Sequence, residues 1–146
     1  MIDLDAHGLI APATAPTGVG GPGTVAALLR AGVADAPDRM ALVGRGGRFT
    51  MAELDAEVDR AAAALVSLGV GEGDRVAMSL PNDIDVVIGY LAAMRLGAIW
   101  LGINRPLAPP EKAYMLRDAE VSVLLADDEV VESLAPHRGE LDDLRQ

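Results

Sequence analysis

From Thr24 onward, apolar residues recur at helical spacing: Val25, Leu28, Leu29 and Val33 share one face, Thr24 stands where an N-cap belongs, and Pro37 stops the run. Residues 40–43 and the stretch up to Phe49 flank Gly44-Arg45-Gly46-Gly47, a pattern that predicts two short strands in a glycine-rich hairpin. Thr50-Met51-Ala52-Glu53 follows at once. In this capping box, threonine and glutamate each satisfy a backbone N–H left free at a helix start. The helix continues through Leu54, Val58, Ala61, Leu65 and Leu68, and Gly69-Val70 supplies the left-handed stop with its hydrophobic contact.

After the tight turn Gly71-Glu72-Gly73, residues 74–80 form a strand whose apolar centre, Val76-Ala77-Met78, predicts burial on both faces. Pro81-Asn82 ends it, and Asn82 can cap a helix over 83–96 with Asp85 near its positive end, Arg95 near its negative end and Gly97 closing it. Residues 86–94 are apolar all round, so this helix needs protein on more than one side. A strand over 98–103, a loop over 106–110, a helix over 110–118 with proline in its first turn and a strong strand over 121–126 complete the pattern. Residues 127–146 are acidic and weakly helical. Strand and helix alternate at lengths suited to right-handed crossovers. The expected fold is α/β, a mostly parallel sheet covered by helices on both faces.

Residues 1–23 lack periodicity and are broken by Pro12, Pro16 and Pro22, so we expect a flexible leader at 1–23 and one α/β subdomain at 24–146. The 146 residues suffice for a real core, and with only Phe49, Tyr90, Trp100 and Tyr114 aromatic it must be aliphatic. The net charge of −10 argues against nucleic-acid and anionic-membrane partners, which need a basic footprint. A small anion such as ATP is still admitted, because backbone N–H groups can bind phosphate whatever the net charge. Without cysteine there is no disulfide, zinc thiolate or thiol nucleophile; no secretory signal or transmembrane span is visible, so the expected compartment is the cytoplasm.

Candidate chemistry is sparse. Gly18-Val19-Gly20-Gly21-Pro22-Gly23 matches GxGxxG in letters, yet a proline-rich segment precedes it where the dinucleotide fingerprint needs a buried strand, and Pro22 removes a donor. Lys112, the only lysine, lies between Glu111 and Ala113 and belongs to no phosphate loop. Ser67, Ser79, Ser122 and Ser133 sit in no nucleophile elbow, and His7 and His137 lie in the leader and the tail. Asp127-Asp128-Glu129 follows the last strand, where acids bind magnesium or simply favour a helix N-terminus; the second reading is preferred for want of partner residues. Arg105 holds a similar position and is expected in a surface ion pair rather than on a ligand, while Met94 and Trp100 are expected in the core.

Taken in order, residues 49–54, 68–77, Leu80-Pro81-Asn82, 94–99 and Ile103-Asn104 resemble the adenylate-forming AMP-dependent synthetases and ligases, in particular the acyl-CoA synthetases. The likeness runs from about Thr24 to Asp127, and the expected fold is the N-terminal subdomain of that family. Gly102 departs from the pattern, which tends to have proline there. The resemblance implies a two-step reaction: a carboxylate attacks the α-phosphate of magnesium-bound ATP to give an acyl-adenylate, and a thiol, usually coenzyme A, then displaces AMP. Its machinery is a Ser/Thr/Gly-rich phosphate loop, later acidic motifs and a lysine in a mobile C-terminal domain, none with a counterpart here. No catalytic, cofactor-binding or metal-binding residue is therefore assigned. ATP, magnesium and coenzyme A are expected only for the full-length enzyme, and this fragment alone is expected to be inactive and to self-associate through exposed apolar surface. The alternative is a stand-alone, non-catalytic α/β binding module.

Overall fold

A computed structural model describes residues 23–145. The sequence-expected leader and its GxGxxG match therefore lie outside the described residues, apart from Gly23. The elements are α1 (Val25–Asp35), β1 (Met40–Gly44), β2 (Gly47–Thr50), α2 (Met51–Ser67), β3 (Arg75–Ser79), α3 (Ile84–Arg95), β4 (Ile99–Gly102), α4 (Pro109–Asp118), β5 (Val123–Ala126) and α5 (Asp128–Leu134), with a 3-10 turn at Ala135–Glu140. Residues 128–140 of the tail are thus helical where the composition suggests only a weak tendency.

β1 and β2 pair antiparallel as a separate hairpin. β3 is the middle strand of a three-stranded parallel sheet in the order β4-β3-β5, with Val76 opposite both Trp100 and Val123. Alternation along β3 sends successive side chains to opposite faces. Val76 joins a core with Leu29, Leu54, Val58, Leu65 and Ala92 from α1, α2 and α3. Ala77 joins a second core with Ala113, Leu116, Val130 and Leu134 from α4 and α5. The sheet is therefore covered on both faces, as the strand pattern predicts.

α2 begins with the capping box intact: Glu53 N donates to Thr50 Oγ1 at 3.3 Å and Thr50 N donates to Glu53 Oε2 at 2.8 Å. At the next helix the sequence expectation is corrected, because Asp83 rather than Asn82 is the cap. Its Oδ1 accepts from Ile84 N at 2.9 Å and from Arg45 N at 3.0 Å, while Oδ2 accepts from Arg45 Nε at 2.7 Å. The hairpin tip selects the carboxylate over the neighbouring amide through a charge-assisted contact that no local pattern encodes.

The apolar helix α3 lies on the sheet against α1 and α2. A Cβ at Gly89 would run into the Met78 side chain of β3, so the absence of a side chain there lets helix and strand approach closely. Arg95, at the C-terminal end of α3, bonds Asp55 and Asp59 of α2, and its side chain is only 8% exposed. Helices α2, α3 and α4 all end in the same closure: Gly69 N to Val66 O with Val70 N to Leu65 O, Gly97 N to Met94 O with Ala98 N to Ala93 O, and Glu120 N to Arg117 O with Val121 N to Leu116 O. The left-handed position is glycine in the first two cases and Glu120, at φ 49°, in the third.

Candidate functional site: the switch-point crevice

The connection leaving β3 enters α3 on one face of the sheet, and the connection leaving β4 enters α4 on the other, as the two cores show. Adjacent parallel strands whose connections diverge in this way open a crevice at their carboxyl ends, where open α/β sheets take ligands. A cleft of about 230 Å³ lies there, lined by Met78, Leu80, Asn82, Val86, Trp100, Gly102, Ile103 and Asn104.

The half-buried indole of Trp100 forms one wall. Its ring meets Tyr90 of α3 edge-on, with centroids 5.3 Å apart and planes at 77°. Its Nε1 is buried without a hydrogen-bond partner among the described residues. A Cβ at Gly102 would stand 2.6 Å from Trp100 Cη2, so the glycine admits this ring. Asn82 and Asn104, both exposed, supply the polar lip. Of the two expected core residues, Met94 packs against the core of α1, α2 and α3, and Trp100 packs there while also facing the crevice.

On the α4 and α5 side, Arg105 reaches from the end of β4 to Asp127 at the end of β5, with Glu129 Oε2 at 3.4 Å. Asp127 Oδ1 caps α5 by accepting from Val130 N at 3.2 Å. Arg105 is in an ion pair, and the acidic run starts a helix. That the two meet each other, across the end of β3, is a tertiary fact. Sequence reading passed over Lys112 as a site residue. It is buried, 5% exposed, and Nζ donates to the carbonyls of Arg105 and Leu107 at 2.7 and 2.6 Å.

Three of the four serines bond backbone carbonyls. Ser67, Ser122 and Ser133 donate to the carbonyls of Ala64, Arg75 and Val130, and Ser79 is fully buried with no partner among the described residues. His137 pairs with Glu140 at 3.2 Å in the 3-10 turn, and His7 lies outside the described residues. Among the described residues no group of three or more His, Cys, Asp or Glu could hold a metal ion. Asp127 is already engaged, as the cap of α5 and by Arg105.

Fold and crevice define a doubly wound α/β domain of the kind that takes ligands at its strand ends. The AMP-binding enzyme family matches residues 29–146, and the chain belongs to that family. It is 37% identical over 115 residues to the 3-hydroxybenzoate–CoA ligase of Aromatoleum sp. (strain CIB), covering 79% of this chain and 21% of the relative. It is 37% identical over 78 residues to the long-chain-fatty-acid–CoA ligase FadD13 of Mycobacterium tuberculosis (strain ATCC 25618 / H37Rv), covering 53% of this chain and 16% of that one. The anthranilate CoA ligase AuaEII, solved with anthranoyl-AMP, superimposes with a TM-score of 0.79 at 28% identity, covering 84% of this chain and 24% of that one. The chain thus spans about a fifth to a quarter of the length of its better-covered relatives.

Proposed function

We propose that this chain is amino-terminal scaffold of an acid–thiol ligase, which activates a carboxylic acid with ATP to an acyl-adenylate and passes the acyl group to coenzyme A. The observation that carries this reading is the continuous family match over 29–146, together with a backbone that follows that of acyl- and aryl-CoA ligases. The setting is cytoplasmic, in keeping with a chain that has no cysteine. The chain alone does not adenylate: phosphoryl chemistry needs positioned donors and a cation around the phosphates. The Thr/Gly-rich stretch of the sequence, residues 17–24, precedes the family match at 29–146, and Lys112 is engaged by two carbonyls.

The test is ATP–pyrophosphate exchange with hydroxybenzoates and long-chain fatty acids. Residues 24–146 are assayed alone and spliced in place of the matching segment of the 3-hydroxybenzoate–CoA ligase. The expected result is no exchange by the chain and acid-dependent exchange by the chimera. Exchange by the isolated chain would overturn the inactive-scaffold reading, and a folded but inert chimera would overturn the ligase reading.

A further inference from the structure

Lys112 is the only lysine, it is 5% exposed, and nothing in the ligase reading uses it. It stands in the first turns of α4 and reaches back to the turn that leaves β4. Nζ donates to Arg105 O at 2.7 Å and to Leu107 O at 2.6 Å, while Leu107 N closes the same turn onto Asn104 O at 3.2 Å. Its side-chain partners are these two carbonyls, and among the described residues it enters no ion pair. A long, flexible side chain buried to satisfy two carbonyls gives up rotamer freedom, and what it holds is a turn rather than a countercharge.

That turn faces two ways. Asn104 at its start is a lip of the switch-point crevice. Arg105 beside it sends its guanidinium across the end of β3 to Asp127, which caps α5, and its Nε is buried without a partner among the described residues. We propose that Lys112 is a positioning residue for the crevice: by pinning the Asn104–Leu107 turn it fixes the Asn104 lip and sets the reach of Arg105 to Asp127. The inference stands on this chain's own geometry and does not depend on the ligase reading.

The full chain carries the test. Urea unfolding is followed by circular dichroism for wild type, Lys112→Met, Asp127→Asn and the double variant, and the Arg105 Nε–H signal is followed by nitrogen-edited NMR. Asn at position 127 can still cap α5 through its side-chain oxygen, so that change removes the charge and little else. If Lys112 acts through Arg105, its removal speeds exchange of the Arg105 Nε–H at least tenfold. Lys112→Met then lowers the folding equilibrium constant at least threefold less in the Asp127→Asn background than in wild type. If the two losses simply multiply and the Arg105 signal is unchanged, Lys112 is packing alone and the proposal fails. Should Lys112→Met not fold, Lys112→Gln, which keeps a donor for one carbonyl, enters the same cycle with the same two outcomes.

Discussion

Individual residues carry the most direct consequences. Glu120 holds the left-handed position that glycine holds at 69 and 97, and its side chain pairs with Arg75 at 2.7 Å across exposed surface. A left-handed backbone costs a non-glycine residue roughly 1–2 kcal/mol, whereas an exposed pair contributes about 0–1 kcal/mol. Both Glu120→Gly and Glu120→Ala lose the pair, but only glycine relieves the backbone. Urea unfolding should place Glu120→Gly above Glu120→Ala by about 1 kcal/mol. Gly102 behaves in the opposite sense. Gly102→Ala puts a methyl group into the Trp100 ring, and overpacking of this kind costs about 1–3 kcal/mol. Because Trp100 is the only tryptophan, its fluorescence maximum should shift in Gly102→Ala and serve as an independent readout. Neither effect is visible in the one-dimensional pattern, because each is set by what a backbone position meets in space.

Between elements, charged side chains do the joining. Hydrogen bonds from Arg45 and from Ile84 N hold the Asp83 carboxyl below its ordinary value. A depressed folded-state value contributes stability that is fully present above the unfolded carboxylate pKa, about 3.9, and is lost as pH falls through the lower folded value. The gap in urea midpoint between wild type and Asp83→Asn should therefore be constant near neutral pH and close as pH falls below about 4. Glu53 follows the same sign, lowered by its bonds to Thr50. Arg95 welds α3 to α2 from a nearly buried position, and Arg95→Met leaves Asp55 and Asp59 without their cation. Breaking a buried ion pair costs roughly 3–5 kcal/mol, and the exposure of Asp59 puts the expected loss at the lower end, measurable by thermal or urea unfolding. Sequence pattern supplied Arg95 its place at the end of a helix. Its partners 40 and 36 positions earlier come from the packing of α2 on α3.

At the scale of the molecule, β5 has β3 on one side and, among the described residues, no strand on the other. An apolar cleft lined by Leu124, Val131, Leu134, Leu141 and Leu144 lies beside it on the α5 face, and Val131 is 53% exposed. An unpaired edge flanked by apolar surface favours association. Gel filtration of the chain should show concentration-dependent species above the monomer, and Val131→Lys should reduce them. A clean monomer at all concentrations would favour the independent binding module instead.

The periodicity of apolar residues determined the order of helices and strands, the parallel sheet and the doubly covered β3, because burying apolar faces at periods of 3.6 and 2 is a local property of the chain. The family was also legible, carried by turns, caps and strand ends in a fixed order. Only the tertiary structure decided that Asp83 rather than Asn82 caps α3, that Arg105 meets Asp127, that Lys112 pins the turn after β4, and that Trp100 lines a crevice which Gly102 leaves open. Those facts depend on contacts between residues far apart in sequence, whose distance and direction are fixed by packing and leave no periodic trace in the chain.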